Sequence, residues 1–217
     1  TYKYVTEEKK VPLIFPATGA HIWGFPYKKY VFPAPNDYWQ ETWVAVDYLI
    51  FTRGLNKIGV FYQDDDYGRD VYDPAVDRIK QHGLEVAGAE TYKSGQVDVS
   101  SQVVRLKNAG AQGVVLGTVY ISGSQFLRES KKIGWNVQAI GISPTGTQKM
   151  IELSGEAAPG FANTMPFPDL EFSDKPAVKE YREIIRKYYP NAPFDDTTMW
   201  WWLGARMLVN MLELTGK

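Results

Sequence analysis

The sequence predicts an α/β protein in which helices flank a parallel sheet. Two observations support this class. From residue 37 to residue 165, short apolar segments alternate with longer segments whose apolar residues recur every three or four positions. The short segments are apolar throughout, which is typical of strands buried on both faces of a parallel sheet. Strands and helices that alternate in this way form parallel pairs joined by right-handed crossovers.

Composition limits the function classes. The 217 residues, 44% apolar and 23% charged, are enough for one large globular domain or two small ones. The net charge of −1 gives no reason to expect nucleic acid or an anionic membrane as a partner. No apolar run approaches the ~20 residues of a membrane-spanning helix. The absence of cysteine excludes disulfides, thiolate nucleophiles and thiolate metal ligands.

The first 35 residues contain two strand-like pieces. Residues 1–10 are polar and lysine-rich and predict a helix end or a loop. Val11–Phe15 and Tyr30–Phe32 are apolar and predict short strands. The turn Pro16–Ala20 has small side chains, so its backbone N–H groups are accessible to a ligand. The proline-rich step Pro33–Pro35 predicts a crossing between lobes.

The central part carries the alternation. A helix is expected from Asp37 to Gly54, with one inward stripe: Trp39, Trp43, Val46 and Ile50. Five strands are then expected, at residues 57–62, 84–92, 113–117, 138–142 and 160–165. Three helices are expected between the first four of these strands. Their inward residues are expected to be Tyr72, Ala75, Val76 and Ile79 in the first, Val99, Val103 and Leu106 in the second, and Phe126, Ser130 and Ile133 in the third. Pro74 predicts that its helix starts late or kinks, and Thr118–Ser122 is expected as an exit loop.

Residues 166–217 predict a proline-containing linker and two helices. The first helix is expected from Asp174, as N-cap, to Tyr189, with Val178, Tyr181 and Ile185 inward. The second is expected from about Thr197 and contains three consecutive tryptophans. The first part has too few strands for a sheet, and the sequence stops where an α/β chain normally enters another strand. Both features indicate that the chain is a fragment.

The stretch Lys57–Asp70 is the strongest candidate for a site. It predicts a buried strand followed by a polar turn that ends in Tyr67 and Gly68. Ligands of open α/β sheets bind at the loops leaving the carboxyl ends of strands, so Tyr67 is expected at the rim of a site. An ordinary turn whose aspartates cap the next helix explains the same residues. Asp64–Asp66 would also suit a divalent cation, although further oxygen ligands are not evident.

Three sequence blocks, taken in order, carry a family resemblance: Val11–Ala20, Lys57–Gly68 and Gly155–Gly160. Through them the chain resembles, from about residue 11 to its end, the type I periplasmic binding proteins. The nearest group is the branched-chain amino-acid-binding family, with relatives that bind aromatic or other carboxylated compounds. The resemblance implies two α/β lobes, joined by three crossings, that close on a small solute.

The resemblance also implies how the chain divides between the lobes. It assigns residues 36–166 to a nearly complete second lobe. Residues 1–35 and 167–217 then belong to a partial first lobe. The first βα units and the C-terminal strands of the family pattern are absent.

The resemblance implies a set of solute-binding residues: Ala17, Thr18 and Gly19 near the solute carboxylate; Tyr67 as a closing ring; Val119 or Tyr120 where the family often places another tyrosine; Ser143; and Trp200, on a helix that reaches the cleft in relatives. Ser143 falls where amino-acid binders carry an acid for the ammonium group. A buried ammonium without a carboxylate partner costs several kcal/mol. The chain is therefore expected to favour a carboxylate with an apolar or aromatic body, with Asp64–Asp66 as the alternative ammonium partner.

The function implied is that of the extracellular solute receptor of an ABC-type importer. Such a receptor is periplasmic, carries a removable signal peptide that is not in this chain, and is monomeric at full length. It delivers a small solute to a membrane permease, without cofactor, metal, nucleic acid or membrane insertion. A ligand-sensing domain of a receptor or repressor is the alternative on the same fold. An enzyme is not expected, because neither His21 nor His82 has a partner at catalytic spacing and no nucleotide-binding or nucleophile motif occurs.

Overall fold

The computed structural model describes residues 2–34, 36–192 and 194–216. It divides into two compact units. The central unit is Asn36–Met165, and the flanking unit combines Thr1–Pro35 with Pro166–Lys217. None of the helices in the described ranges is both long enough and apolar enough to cross a membrane.

Strands and helices alternate along most of the chain. The strands are β1 (Leu13–Ile14), β2 (Val31–Phe32), β3 (Ile58–Gln63), β4 (Val86–Tyr92), β5 (Gly113–Gly117), β6 (Gln138–Gly141) and β7 (Ala162–Asn163). The α-helices are α1 (Tyr38–Asp47), α2 (Asp66–Gln81), α3 (Ser100–Asn108), α4 (Tyr120–Lys132), α5 (Gln148–Ser154), α6 (Pro176–Tyr188) and α7 (Asp196–Thr215). Short π-helical turns cover Tyr4–Glu8 and Tyr48–Thr52, and 3-10 turns cover His21–Trp23 and Gly155–Ala157.

The central unit is built on a five-stranded sheet in the order β4-β3-β5-β6-β7. Every neighbouring pair is parallel. The register places Phe61 between Glu90 and Leu116, and Val115 opposite Ile140. The predicted parallel sheet with flanking helices is thereby confirmed, although the fifth strand is only two residues long.

One hydrophobic core cluster of the central unit joins the sheet to helices α3 and α4, and further buried residues lie on α1 and α2. All five residues of β5 are buried, as are the first five of β3. Phe61 is at the centre, stacked at 5.1 Å on both Tyr92 and Phe126. Burying an aromatic side chain of this size contributes about 2–3 kcal/mol. The predicted inward positions on α3, and Phe126 on α4, are confirmed as buried core.

Helix α1 starts where the sequence predicts, because the Asp37 carboxylate accepts the Trp39 N–H at 2.8 Å. Of its predicted inward stripe, Val46 is confirmed as buried and the other three residues are not. The buried residues are Tyr38, Glu41, Thr42, Ala45 and Val46, followed by Leu49 on the next turn. Trp39, Trp43 and Ile50 are only half-buried. Apolar residues surround this helix on all sides, so periodicity alone does not fix which face turns inward.

Helix α2 does not start late. It begins at Asp66, with Asp65 as N-cap, and runs through Pro74, which is buried within it. The proline removes one backbone hydrogen bond without ending the helix. Of the predicted inward residues, Ala75 and Ile79 are buried whereas Tyr72 and Val76 are half-buried.

The flanking unit contains the two-residue strands β1 and β2, paired in parallel, and the helices α6 and α7. Helix α6 has Lys175, not Asp174, as its N-cap. Pro176 provides the first helical residue, and Asp174 instead pairs with Lys179 at 2.9 Å. Val178 and Tyr181 are buried inward as predicted and pack with Met199 of α7.

Candidate functional site

The carboxyl ends of β3, β5, β6 and β7 meet at one edge of the central sheet. Polar side chains follow each of these strand ends: Tyr67, Thr118, Ser143 with Thr145, and Thr164. The parallel strands bring together residues that are far apart in sequence. This edge is where open α/β sheets hold ligands.

Tyr67 lies at this edge with its hydroxyl group already engaged. The hydroxyl donates to the backbone carbonyl of Thr118 at 2.9 Å, and the ring packs edge-on against Tyr38 at 5.4 Å. Burial raises the pKa of the Tyr67 hydroxyl well above its usual range, and the neighbouring Tyr38 adds to the shift. The hydroxyl therefore stays neutral, and a ligand would meet the ring of Tyr67 rather than a free O–H donor.

Gly68 explains the Tyr-Gly pair in physical terms. A Cβ atom at this position would lie 1.7 Å from the backbone oxygen of Gln63. Helix α2 thus begins in direct contact with the end of β3, and only glycine permits that approach. The Asp65 carboxylate completes the turn by accepting the Gly68 N–H at 3.1 Å. The capping interpretation of the aspartate turn is confirmed for Asp65.

A pair of threonines holds the next two loops together. Thr118 and Thr145 are both fully buried. The Thr145 hydroxyl donates to the Thr118 carbonyl at 2.5 Å, so that carbonyl accepts from both Thr145 and Tyr67. The loops after β5 and β6 and the start of α2 are therefore fixed to one backbone oxygen.

Ser143 lies against a carboxylate that sequence reasoning missed. Glu41, on α1, is only 8% exposed. One of its oxygens accepts the Ser143 N–H at 2.7 Å, and the other accepts the Ser143 hydroxyl at 2.9 Å. The sequence does contain a signal for this residue, because Glu41 falls on the same helical stripe as Tyr38, Thr42 and Ala45. A charged residue on an inward stripe is unusual unless it has partners.

Glu41 also joins the two ends of the central unit. Its carboxylate accepts the Asn36 side-chain N–H at 2.8 Å and the Thr164 hydroxyl at 3.2 Å. Burial raises the pKa of Glu41 from its ordinary value of 4.5, and the hydrogen bonds from Ser143, Asn36 and Thr164 oppose that shift. The cost of burying the charge thus outweighs the donors that surround it.

Val119 and Tyr120 are at the start of α4, not in an exit loop extending to Ser122. Val119 is the N-cap and Tyr120 the first helical residue, and both are half-buried. The Tyr120 side chain packs against the hydrophobic core of the central unit. Tyr67 and Ser143 are therefore the predicted site residues that share the hydrogen-bonded edge.

The remaining predicted site residues are in the flanking unit. In the turn after β1, Ala17 is exposed, Thr18 half-buried and Gly19 buried. The Thr18 hydroxyl accepts the Ala20 N–H at 3.1 Å, which stabilises the turn. Trp200, in the first turns of α7, packs edge-on against Phe167 at 5.8 Å.

His82 has a partner, contrary to the sequence-based expectation. Its Nε2 lies 2.8 Å from the Asp47 carboxylate, which also accepts two hydrogen bonds from Arg78, at 2.8 and 2.6 Å. Hydrogen bonding by Arg78 lowers the pKa of Asp47. This cluster joins the end of α1 to α2. Within residues 2–34, 36–192 and 194–216, no group of three or more acidic, histidine or cysteine side chains is arranged to hold a metal ion.

Comparison with known proteins identifies the family. The model of a family described as periplasmic binding protein matches residues 3–217. The chain belongs to the periplasmic binding protein family. The Leu/Ile/Val-binding protein homolog 7 of Brucella abortus is 30% identical over 162 residues, which is 72% of this chain and 40% of that protein.

Two solved structures show the extent of the likeness. A periplasmic substrate-binding protein of Ralstonia solanacearum superposes with a TM-score of 0.74 at 27% identity, over 85% of this chain and 52% of that one. A leucine-binding protein of Thermotoga maritima gives a TM-score of 0.88 at 18% identity, over 98% and 60% respectively. The chain thus spans only about half the length of the family members it matches.

Proposed function

We propose that the full protein is the solute receptor of an ABC-type importer, located in the periplasm. In this proposal it binds a small molecule and delivers it to a membrane permease without chemical change. The observation that carries the proposal is the family match over residues 3–217, together with the polar edge around Tyr67. In the same proposal, the central unit is the second lobe of the receptor and the flanking unit is part of the first.

The proposed solute is a small carboxylate with an apolar or aromatic body. Tyr67 offers an aromatic surface whose orientation is fixed by its hydrogen bond to Thr118. The carboxylate beside Ser143 does not offer a vacant ammonium partner, because Glu41 already accepts four hydrogen bonds. An ammonium group binding there would have to displace one of these donors. The arrangement supports weaker binding of α-amino acids than of the matching acids that lack the amino group.

Calorimetry on the full-length protein with matched pairs tests the solute class. The pairs are phenylalanine with 3-phenylpropanoate and leucine with 4-methylpentanoate. The acid is expected to bind tighter in each pair. Tighter binding of the amino acid would contradict the proposed class, and its loss in Glu41→Gln, Asp65→Asn or Asp66→Asn would locate the ammonium site.

A tyrosine pair on α2 tests the location of the site. Replacing Tyr67 by alanine is expected to weaken binding by about 1–3 kcal/mol, the scale of a buried aromatic contact. Tyr72→Ala is the matched control, because Tyr72 stacks on Tyr62 at 4.6 Å farther along the same helix. Equal losses in the two variants, or no loss in either, would remove Tyr67 from the site.

A further inference from the structure

A cavity in the central unit lies away from the sheet edge that carries Tyr67 and Ser143. Its volume is about 330 Å³. It is at the amino-terminal end of β6, between the C-terminal end of α4 and the segment Gly155–Gly160. That segment is one of the three blocks that carry the family resemblance, and four of its six residues line the cavity. The solute site proposed above gives this block no role.

Part of the lining of the cavity suits a flat apolar group, and the rest is polar, with Ser130, Asn136 and Glu156 among its residues. Trp135, Phe161, Leu127 and Val137 contribute aromatic and aliphatic surface. Trp135 is held in place by edge-on packing against Phe126 at 6.0 Å. An apolar cavity of about 150 Å³ accommodates benzene, so the present volume admits a substituted aromatic ring. It also falls within the range of small-molecule sites, about 300–1,000 Å³.

The rim of the cavity carries a cation that a ligand can reach. The Lys131 ammonium donates to the Glu156 carbonyl at 2.8 Å and lies 3.1 Å from the Glu156 carboxylate. The Glu156 side chain is 94% exposed, so the ion pair is weak and a ligand carboxylate can replace it. The hydrogen bond to the Glu156 carbonyl keeps Lys131 at the rim when the ion pair is broken.

Charges of both signs lie near the cavity, and Lys131 is the cation that lines it. The C-terminal end of α4 is the negative pole of its dipole. Lys131 and Lys132 lie in its last turn, and Lys107 donates to the Ile133 carbonyl at 2.9 Å. Glu129 pairs with Lys132 at 3.2 Å. With Glu156, and with Asp98, which interacts electrostatically with Lys132, these groups comprise three positive and three negative side chains. An anion is therefore favoured only where it contacts Lys131 directly.

We propose that this cavity is a second ligand site, which takes a small aromatic carboxylate with its ring beside Trp135 and its carboxylate on Lys131. It is separate from the solute site at the carboxyl edge of the sheet. Occupancy would join the end of α4 to the block that follows α5. Because this second site involves only the central unit, the proposal for it does not depend on the proposed transport function.

Nuclear magnetic resonance on the ¹⁵N-labelled chain tests the proposal. The probes are phenylacetate, 2-phenylethanol and phenethylamine, which share a ring and differ in charge. The reporter is the indole N–H signal of Trp135, assigned by its loss in Trp135→Phe. Phenylacetate is expected to shift this signal in a saturable way at millimolar concentration, more tightly than the alcohol and the amine. Absence of a shift, or a stronger response to the amine, would overturn the proposal.

Variants separate this site from its surroundings. Lys131→Met is expected to weaken phenylacetate binding at least fivefold and leave the alcohol unchanged. Lys132→Met is the matched control, because Lys132 is adjacent but does not line the cavity. Equal effects of the two substitutions would contradict a specific carboxylate contact. Tyr67→Ala is expected to leave the Trp135 response unchanged, and a loss there would show that the signal reports on the solute site instead.

A filling substitution tests the cavity itself. Ala157→Phe places a ring into the space and is expected to abolish the phenylacetate response of Trp135. Persistence of the response in a folded Ala157→Phe variant would show that the ligand binds elsewhere. If that variant does not fold, the comparison between Lys131→Met and Lys132→Met decides the question alone.

Discussion

Replacing Glu41 by glutamine should leave the central unit nearly as stable at pH 7 as the original chain. The glutamine amide has the same shape as the carboxylate but one acceptor oxygen instead of two. Its oxygen can face the Ser143 N–H and the Thr164 hydroxyl, where the carboxylate now accepts. Its NH₂ group then faces Asn36 and the Ser143 hydroxyl, which can turn to accept.

The magnitude follows from the partners. The side-chain oxygen of Asn36 is buried without a hydrogen-bond partner. If the Asn36 amide turns over, that oxygen can accept from the new NH₂ group, and the Asn36 NH₂ group takes the buried position where the oxygen had no partner, so the number of unpaired groups does not change. Removing the charge also removes its cost of burial, which is large enough to raise the pKa of Glu41. We therefore expect a change within about 1 kcal/mol, since a neutral hydrogen bond contributes about that much.

Alanine at the same position should behave differently. It leaves the Ser143 N–H without an acceptor, at a cost of about 1–3 kcal/mol. It also removes one buried methylene group, worth about 0.8 kcal/mol. The expected loss is about 3 kcal/mol. Urea unfolding followed by circular dichroism measures both variants. A loss of more than about 2 kcal/mol in Glu41→Gln would refute the reasoning, because it would show that the negative charge itself stabilises the fold.

The pH dependence provides an independent check. Because the pKa of Glu41 is raised in the folded chain, the folded state binds its proton more tightly than the unfolded state does. This contribution is complete below pH 4.5 and is lost as the pH rises through the folded pKa. The original chain should therefore lose stability relative to Glu41→Gln as the pH rises above 4.5. A constant difference between the two would contradict a raised pKa.

Four further substitutions test the fold by urea unfolding. Gly68→Ala should destabilise the central unit by about 3 kcal/mol, because the new Cβ would lie 1.7 Å from a backbone oxygen. Gly204→Ala should stabilise α7 by about 0.5–1 kcal/mol, because the nearest atom to its Cβ is 3.6 Å away. A less stable Gly204→Ala than Gly68→Ala would refute the packing. Burial and two nearby aspartates raise the pKa of Asp196 to about 6, so stability should fall between about pH 4 and 6. Asp196→Asn should remove this pH dependence of stability. Because the site is half-exposed and screened by solvent, the substitution should stabilise the chain by only about 1 kcal/mol at pH 7. An unchanged pH dependence would refute the prediction. Arg78 lowers the pKa of Asp47, so Asp47→Asn should destabilise the chain by less than about 1 kcal/mol above pH 4. The difference should vanish once acid has protonated the Asp47 carboxyl of the original chain. The same loss of stability at every pH would refute this prediction.

Local sequence was sufficient for most of the elements. Strands β3, β5 and β6 are short apolar runs that end in glycine or polar residues, so their location follows from composition. The capping of α2 by Asp65 is likewise local, because it involves only residues within one turn. The inward residues of α3 were predicted correctly because Val99, Val103 and Leu106 recur at helical spacing, whereas Val104 lies outside that stripe and is exposed.

Which face of a helix is buried, and where a helix begins, were predicted less well. The stripe on α1 was misplaced, because tryptophan and valine occur on several of its sides and only the sheet determines which side is buried. Pro74 was expected to delay or kink α2, and the helix does not start late, because the capped start at Asp65 and the packing of the helix outweigh the loss of one hydrogen bond. The end of the loop after β5 was misjudged because Tyr120 and Ser122 suit a helix start as well as a loop.

The sequence by itself determined the α/β class, the parallel alternation and the position of Tyr67 after β3, since each follows from local periodicity and glycine placement. Only the tertiary structure brought Glu41 to Ser143, which are 102 residues apart in sequence. The same holds for the bond between Tyr67 and Thr118, and for the cavity between α4 and the block Gly155–Gly160. The physical reason is that a one-dimensional pattern shows which residues turn inward, but the register of parallel strands decides which inward residues meet.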